Sequence, residues 1–271
     1  LRQSGFEGEL WAMAEGEPFK AKETAVRIVS RYQSFGLYET AILGTLASSS
    51  GWATAAAECV EAAGGAPIIG FGARHVHPKV ADVMDYASMV GGFTTVSTPA
   101  GAALRGVEAS GTMPHALVLI MGDTIEAARA FDRTIDPRVM RTVLVDTFHD
   151  EVEEALRVAQ AMGDRVWGVR LDTPAERGGV TPDLVVELRA RLDVAGFEKV
   201  RIFISGGLDP AKIRRLREGG VPIDGYGVGS YVSGARPIDF TADIREIEGR
   251  PIAKRGRLPG RQRNERLRRI L

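Results

Sequence analysis

Sulfur chemistry is nearly closed to this chain, whose 271 residues include 1 cysteine, Cys59. A lone cysteine excludes an intrachain disulfide and any zinc site built on clustered cysteines within these residues, and it fits a reducing compartment, so a cytoplasmic location is expected. Net charge is lacking too. Lys plus Arg number 35 and Asp plus Glu 35, which leaves no global field to draw the chain to nucleic acid or to a membrane. The local exception is the tail from Lys254 to Arg269, with Arg255, Arg257, Arg261, Arg263, Arg266 and Arg268 between, which reads as a solvated basic terminus. No apolar run is long enough to span a bilayer, and the first residues do not read as a signal peptide. The chain opens on Leu1 rather than Met, inside what reads as a helix-to-strand segment, and part of the natural N-terminus is expected to precede it.

Against these absences stand an ordinary apolar content of 44%, a charged content of 26% and 32 glycines. This is the composition of a soluble globular protein, long enough for one large α/β domain or a barrel with a smaller appended layer. Residues 1–35 show short strands at Leu10–Met13 and Ala25–Ser30 around a Gly-Glu-Pro turn, which suggests an antiparallel sheet. From Tyr38 to Ala63, small and apolar residues recur at helical spacing. Gly44 and Gly51 interrupt them, so two packed helices covering that sheet are expected.

Strand and helix then alternate to about residue 235. Strands are expected at Pro67–Phe71, Thr94–Thr95, Val107–Ala109, Thr142–Asp146, Val166–Arg170, Arg201–Ser205 and Asp224–Val228, with helices near 78–90, 98–104, 123–133, 150–162, 181–195 and 209–218. Such alternation predicts a parallel sheet, and the number of repeats favours a closed or nearly closed barrel. Residues 237–257 return to strand-like alternation and are expected to complete the first sheet. The expected architecture is an irregular, TIM-like α/β barrel over 66–236, with a mixed α/β domain from 1–65 plus 237–271.

The stretch from Val200 to Ser230 organises the chain, because each of its halves is an apolar run ending in glycines. After the first run, Gly206 and Gly207 open onto a helix with Asp209 as N-cap and Pro210 at its first position. Glycines there admit a ligand to the backbone, and a helix N-terminus offers unpaired N–H groups and partial positive charge, so a phosphate site is expected. Gly227 and Gly229 can act likewise from the next strand; the alternative for each pair is a plain turn. In a parallel barrel, polar residues at the C-terminal strand ends belong together. Here these are Arg74, His75 and His77; Ser110, Thr112 and His115; Asp146, Thr147 and His149; Arg170, Asp172 and Thr173; and Ser205 and Ser230. Arg74 also reads as a surface arginine, His77 as a helix-start residue beside Pro78, and Asp146 and Asp172 as loop-capping carboxylates. Taken together they describe a rim for a polyanionic ligand with several hydroxyls.

The runs GELWAMAEG (8–16), ETAILGTLA (39–47), IIGFGARHVHP (68–78), SGTMPHAL (110–117), LVDTF (144–148), GVRLDT (168–173), ISGGLD (204–209), DGYGVGSYV (224–232) and IEGRPIAKRGRLPGR (247–261) resemble, in order over almost the whole chain, nicotinate phosphoribosyltransferases of the shorter archaeal-type branch. The resemblance implies the type II phosphoribosyltransferase fold and a homo-oligomer with shared pockets. The implied reaction joins nicotinate to phosphoribosyl pyrophosphate with ATP hydrolysis, and Mg²⁺ helps to neutralise the departing pyrophosphate. By the same resemblance His115 is the phosphoacceptor, Thr112 a nicotinate contact, and Arg170 the arginine over the nicotinate ring and carboxylate. Asp172 reaches the ribose or its metal, and Arg74 binds phosphate. Ser205, Gly206, Gly207, Gly227, Gly229 and Ser230 form the 5-phosphate cradle. Since no acid precedes Asp123 near His115, its orienting carboxylate is expected to be Asp146 or Asp172.

Three departures stand beside the match. Ala116 replaces a serine common at the phosphorylation pocket; the family's N-terminal aspartate and tyrosine segment would precede Leu1; and the zinc element of some members is absent or lies beyond Leu271. Quinolinate with its two carboxylates, nicotinamide with none, and a non-enzymatic nucleotide-binding subunit are the competing readings.

Overall fold

The computed structural model describes residues 6–220 and 222–271; Leu1, and Val221 at the head of the second glycine-bearing run, lie outside them. The chain divides into two compact units, Leu1–Gly51 with Arg236–Leu271, and Trp52–Ala235.

In the first unit, β1 (Gly8–Ala12) and β2 (Val26–Ser30) pair antiparallel with Trp11 opposite Arg27. The Arg27 guanidinium lies 5.0 Å from the Trp11 ring centroid. The strand that joins β1 on its other edge is β11 (Arg268–Arg269), not the 237–257 segment expected there. Within that segment β9 (Glu246–Ile247) and β10 (Arg250–Pro251) pair with each other. The reason is local: Glu248 and Gly249 take φ of 50° and 76°, the two positive values that a tight type I′ hairpin requires. The basic tail is woven into its own unit. Arg266 pairs with Glu17 and Glu23 at 3.1 and 2.9 Å, Arg261 with Glu246 at 2.7 Å, and Arg257 with Asp243 at 3.2 Å.

One helix, α1 (Glu39–Ala63, 25 residues), runs where two were expected. Each interior glycine costs only about 1 kcal/mol against alanine, which an alanine-rich helix of this length absorbs. Gly51 is a point of close approach rather than a break, for a Cβ there would lie 2.4 Å from the Arg236 carbonyl oxygen.

The second unit is an alternating α/β layer. Its elements are β3 (Ile68–Gly70), α2 (Pro78–Val90), β4 (Thr95–Val96), α3 (Pro99–Leu104), α4 (His115–Met121), α5 (Thr124–Thr134), β5 (Thr142–Leu144), α6 (Glu151–Met162), β6 (Gly168–Leu171), α7 (Pro182–Val194), β7 (Arg201–Ile204), α8 (Pro210–Glu218), β8 (Gly225–Val228) and the one-turn α9 (Ser230–Ser233). The strands form one six-stranded sheet in the order β4-β3-β8-β7-β6-β5, and every pairing is parallel. Val143, Val145, Val169, Leu171, Ile202 and Ile204 are buried, as are Val158, Leu188, Leu192 and Ile213 of the helices. Each such side chain contributes roughly 1.5–3 kcal/mol of apolar burial.

Closure into a barrel is not observed: no ladder joins β4 to β5 among the described residues. The strand expected at Val107–Ala109 is a loop, tied to β4 by the Ser110 N–H donating to the Val96 carbonyl at 2.9 Å and the Thr95 hydroxyl donating to the Glu108 carbonyl at 2.6 Å. Gly106, Gly111 and Pro114 leave too short an apolar run for a ladder. The fold shown is therefore mixed α/β with a parallel sheet.

Candidate active site at the C-terminal rim of the parallel sheet

Register brings the rim residues together. Leu144 lies opposite Arg170, Arg170 opposite Phe203, and Phe203 opposite Gly225, so these four form one row across the sheet. Side chains alternate faces along a strand, so two residues further on the same face carries Asp146, Asp172, Ser205 and Gly227. The loop after β4 then delivers α4, whose first residue is His115.

His115 Nε2 lies 3.3 Å from Asp172 Oδ2 and 3.6 Å from Asp146 Oδ2, while Nδ1 lies 3.2 Å from the Thr147 hydroxyl. The Ser205 hydroxyl donates to Asp172 Oδ1 at 2.7 Å, and the Arg170 guanidinium stands 3.6 Å from Asp172 Oδ2. Arg170 stacks over the Phe71 ring at 5.4 Å. Its Nε, like Asp146 Oδ1, is buried without a hydrogen-bond partner.

These environments drive the two aspartates apart. Burial lifts Asp146 above the ordinary carboxylate value, against the pull of His115. Burial also pushes Asp172 up, but the hydrogen bond from His115, the charge of Arg170 and the Ser205 hydroxyl outweigh it and hold Asp172 below the usual range. The hydrogen bond to Asp172 raises His115, with partial burial opposing. Burial lowers Arg170, with Asp172 and Asp146 opposing. Two carboxylates separated in this way are suited to different acid and base tasks.

At the other end of the rim, Gly206 and Gly207 take φ of +93° and +61°, a conformation that glycine adopts without strain. Asp209 caps α8 by accepting from the Lys212 N–H at 2.8 Å, with Pro210 at the first position. The Lys212 ammonium donates to the Gly207 carbonyl at 2.8 Å. Gly227 is a glycine for packing: a Cβ would sit 2.4 Å from Phe71 Cε2. Gly229 precedes Ser230, the first residue of α9. Arg74 is exposed, and its Nε–H donates to His75 Nε2 at 3.4 Å; His75 Nδ1 in turn lies 3.1 Å from the Ser233 hydroxyl. His77 caps α2, accepting from the Lys79 N–H. Thr112, three residues before His115, is half-buried and makes no hydrogen bond to the cluster among the described residues.

Phe71 and Lys212 join the site without having been singled out in the sequence. Lys212 was legible as the cation one turn into the helix after the glycine pair. Phe71 had no signal, since a strand-end phenylalanine reads as core.

Two family models match in succession: the N-terminal domain of quinolinate phosphoribosyl transferase over residues 2–50, and its C-terminal domain over 52–243. A nicotinate phosphoribosyltransferase of Mycobacterium tuberculosis is 36% identical over 232 residues, 84% of this chain and 48% of that protein. A second from the same species is 34% identical over 266 residues, 94% and 57% of the two chains. The chain thus spans about half the length of the curated relatives it matches. Among solved structures, a nicotinate-nucleotide pyrophosphorylase from Pyrococcus furiosus superposes with a TM-score of 0.89 at 45% identity, covering 95% of this chain and 66% of that one. Human nicotinic acid phosphoribosyltransferase, at TM-score 0.65 and 20% identity over 83% and 56% of the two chains, shares the fold alone. The expectation of a nicotinate enzyme is thereby widened, and the chain belongs to the quinolinate phosphoribosyltransferase family of type II phosphoribosyltransferases.

Proposed function

We propose that the rim transfers a phosphoribosyl group from phosphoribosyl pyrophosphate to the ring nitrogen of a pyridine carboxylate. The observation that carries this reading is the polar row itself: Asp146, Asp172 and Ser205 converge with Arg170 and His115, next to a positive-φ glycine pair at a helix N-terminus. In such a transfer pyrophosphate leaves the ribose carbon as positive charge develops there, and the acceptor nitrogen attacks. The protein has to position both partners and supply matched charge. Asp172, held anionic, suits the ribose hydroxyls and the developing positive charge. Gly206, Gly207 and Ser205 suit the 5-phosphate, with Gly229 and Ser230 beside them; Arg74 suits the pyrophosphate and Arg170 the acceptor's carboxylate.

Two acceptors are open. Quinolinate is the acceptor named by the family models, and nicotinate is named by the Mycobacterium relatives. One observation favours a single carboxylate: among the described residues Arg170, partly buried, is the one arginine paired with the cluster, and Asp172 already draws on it at 3.6 Å. Competition binding of nicotinate, quinolinate and nicotinamide in the presence of phosphoribosyl pyrophosphate tests this. Displacement by a carboxylated pyridine is expected, and equal binding of uncharged nicotinamide contradicts the assignment of Arg170.

Magnesium and ATP belong to the proposal. Among the described residues no group of three or more His, Cys, Asp or Glu side chains is arranged to hold a metal ion, and Mg²⁺ is proposed to arrive held by the diphosphate oxygens of the substrate. His115 is the proposed phosphoacceptor: with Nε2–H donating to Asp172, Nδ1 beside Thr147 keeps the lone pair that attack on ATP needs. His115→Ala should abolish ATP hydrolysis and leave slow ATP-independent transfer; hydrolysis that persists in step with product overturns the assignment. A homo-oligomer is also proposed, with light scattering as its check, although part of the small-residue stripe in α1 is already used within the chain, where a Cβ on Gly91 would lie 2.7 Å from Ala56 Cβ.

A further inference from the structure

We infer that Glu151 and Thr173 form a clasp that sets Asp172 against His115, which makes them positioning residues for the transfer; the chemical role assigned to the clasp rests on the proposed function. Glu151 and Thr173 are 3% and 4% exposed, and the Thr173 hydroxyl donates to Glu151 Oε1 at 2.9 Å. A buried carboxylate is costly unless its oxygens are satisfied. The other oxygen, Oε2, faces the guanidinium of Arg177, on the loop that follows Thr173, at 3.6 Å.

The placement of these two residues gives the clasp its meaning. Thr173 directly follows Asp172. Glu151 is the first residue of α6, five positions after Asp146 on the connection that leaves β5. The start of α6 is itself fixed by Asp150, which accepts from the N–H groups of Val152 and Glu153. One hydrogen bond therefore ties the loop of one rim aspartate to the loop of the other. Asp172 is already held from the opposite side, where Ser205 donates to it from the end of β7. The residue that must meet His115 is thus braced on both flanks, while the loop beyond Thr173 turns at Gly178 and Gly179, whose φ values are +97° and +69°.

Thr173→Val keeps the shape and removes the donor; Thr173→Ser restores the donor. Transfer kinetics and hydrogen exchange should be read together on the full chain. For Thr173→Val the expected result is a fall in kcat of roughly 10- to 100-fold with KM for phosphoribosyl pyrophosphate little changed, as for a misplaced catalytic group. Exchange should rise in peptides covering 172–181 and not elsewhere, and Thr173→Ser should recover both. Glu151→Gln keeps an acceptor for Thr173 and removes the charge facing Arg177, so it should lose less than Thr173→Val and supplies the test if Thr173→Val does not fold. Wild-type kinetics and exchange in Thr173→Val overturn the clasp, and so does a loss of kcat that comes with exchange rising across the whole unit. A wild-type protein that transfers to no pyridine overturns the proposed function instead, and the exchange pattern then decides the clasp alone.

Discussion

The two glycine stretches at the sheet rim look alike as sequence and differ in the folded chain. Gly206 and Gly207 sit at φ of +93° and +61°, where an ideal Cβ would find Asp172 at 3.3 Å and the Lys212 ammonium at 3.7 Å, both at ordinary or nearly ordinary contact distance. Gly225 and Gly227 lie in extended β8, where the ring atoms of Phe203 and Phe71 fill the space a side chain would take, at 2.7 and 2.4 Å from the ideal Cβ. The first pair is glycine because of what the backbone must do and what must approach it. The second is glycine because of what its neighbours already occupy. Gly227 still serves the site, since the room it leaves is taken by Phe71, whose ring centroid lies 5.4 Å from the Arg170 guanidinium.

The sharpest way to break this contrast is Gly227→Ala. Overpacking costs typically 1–3 kcal/mol, and a first carbon that overlaps a ring places this variant near the upper end, about 3 kcal/mol by chemical denaturation. Because Phe71 carries Arg170, acceptor binding should weaken along with stability; an unchanged denaturation midpoint contradicts the packing role. Gly206→Ala should cost less, about 1–2 kcal/mol for an L-residue forced into the left-handed region. Its selective effect should be on phosphoribosyl pyrophosphate, whose affinity should fall while the pyridine's is retained. Titration calorimetry with each ligand separates the two, and equal loss of both contradicts a phosphate role for the pair.

The smallest expected effect is that of pH. His115 is held above its ordinary value, so the stability it adds is fully present below the unfolded-state histidine value of roughly 6.5 and is lost as pH rises through the raised folded value. Its side chain is 37% exposed, and solvent screening keeps that share under about 1 kcal/mol. Asp172 behaves oppositely. Held low, it contributes above the unfolded carboxylate value of roughly 3.9 and loses that contribution as pH falls through its folded value. Melting curves of the wild type and His115→Asn should therefore converge as pH rises past the histidine range, and a widening gap contradicts the His115–Asp172 bond.

Much of this site was legible because polar residues at the C-terminal ends of parallel strands gather on one rim, a rule that picks out Asp146, Asp172 and Ser205 from the alternation of strands and helices. Asp209 and Pro210 were legible as local chemistry at a helix start. What escaped depends on distant partners. Gly51 reads as a helix break until the Arg236 carbonyl is seen beside it, and Gly227 reads as a phosphate loop until Phe71 is. The Val107–Ala109 run reads as a strand because Val107 and Ala109, alternating around Glu108, cannot announce that no neighbour completes a ladder. The 237–257 segment reads as part of the first sheet until the turn at Glu248–Gly249 folds it on itself.

The central claim is that this rim forms a glycosidic bond between ribose and a pyridine carboxylate. The most direct measurement is mass-spectrometric detection of product from the purified protein, phosphoribosyl pyrophosphate, Mg²⁺ and either nicotinate or quinolinate, with Asp172→Asn as the control. The account predicts a pyridine mononucleotide and stoichiometric pyrophosphate in the wild type, and a loss of roughly 100-fold or more in the variant. Consumption of phosphoribosyl pyrophosphate without mononucleotide from either acceptor, or an Asp172→Asn rate equal to wild type, would contradict it.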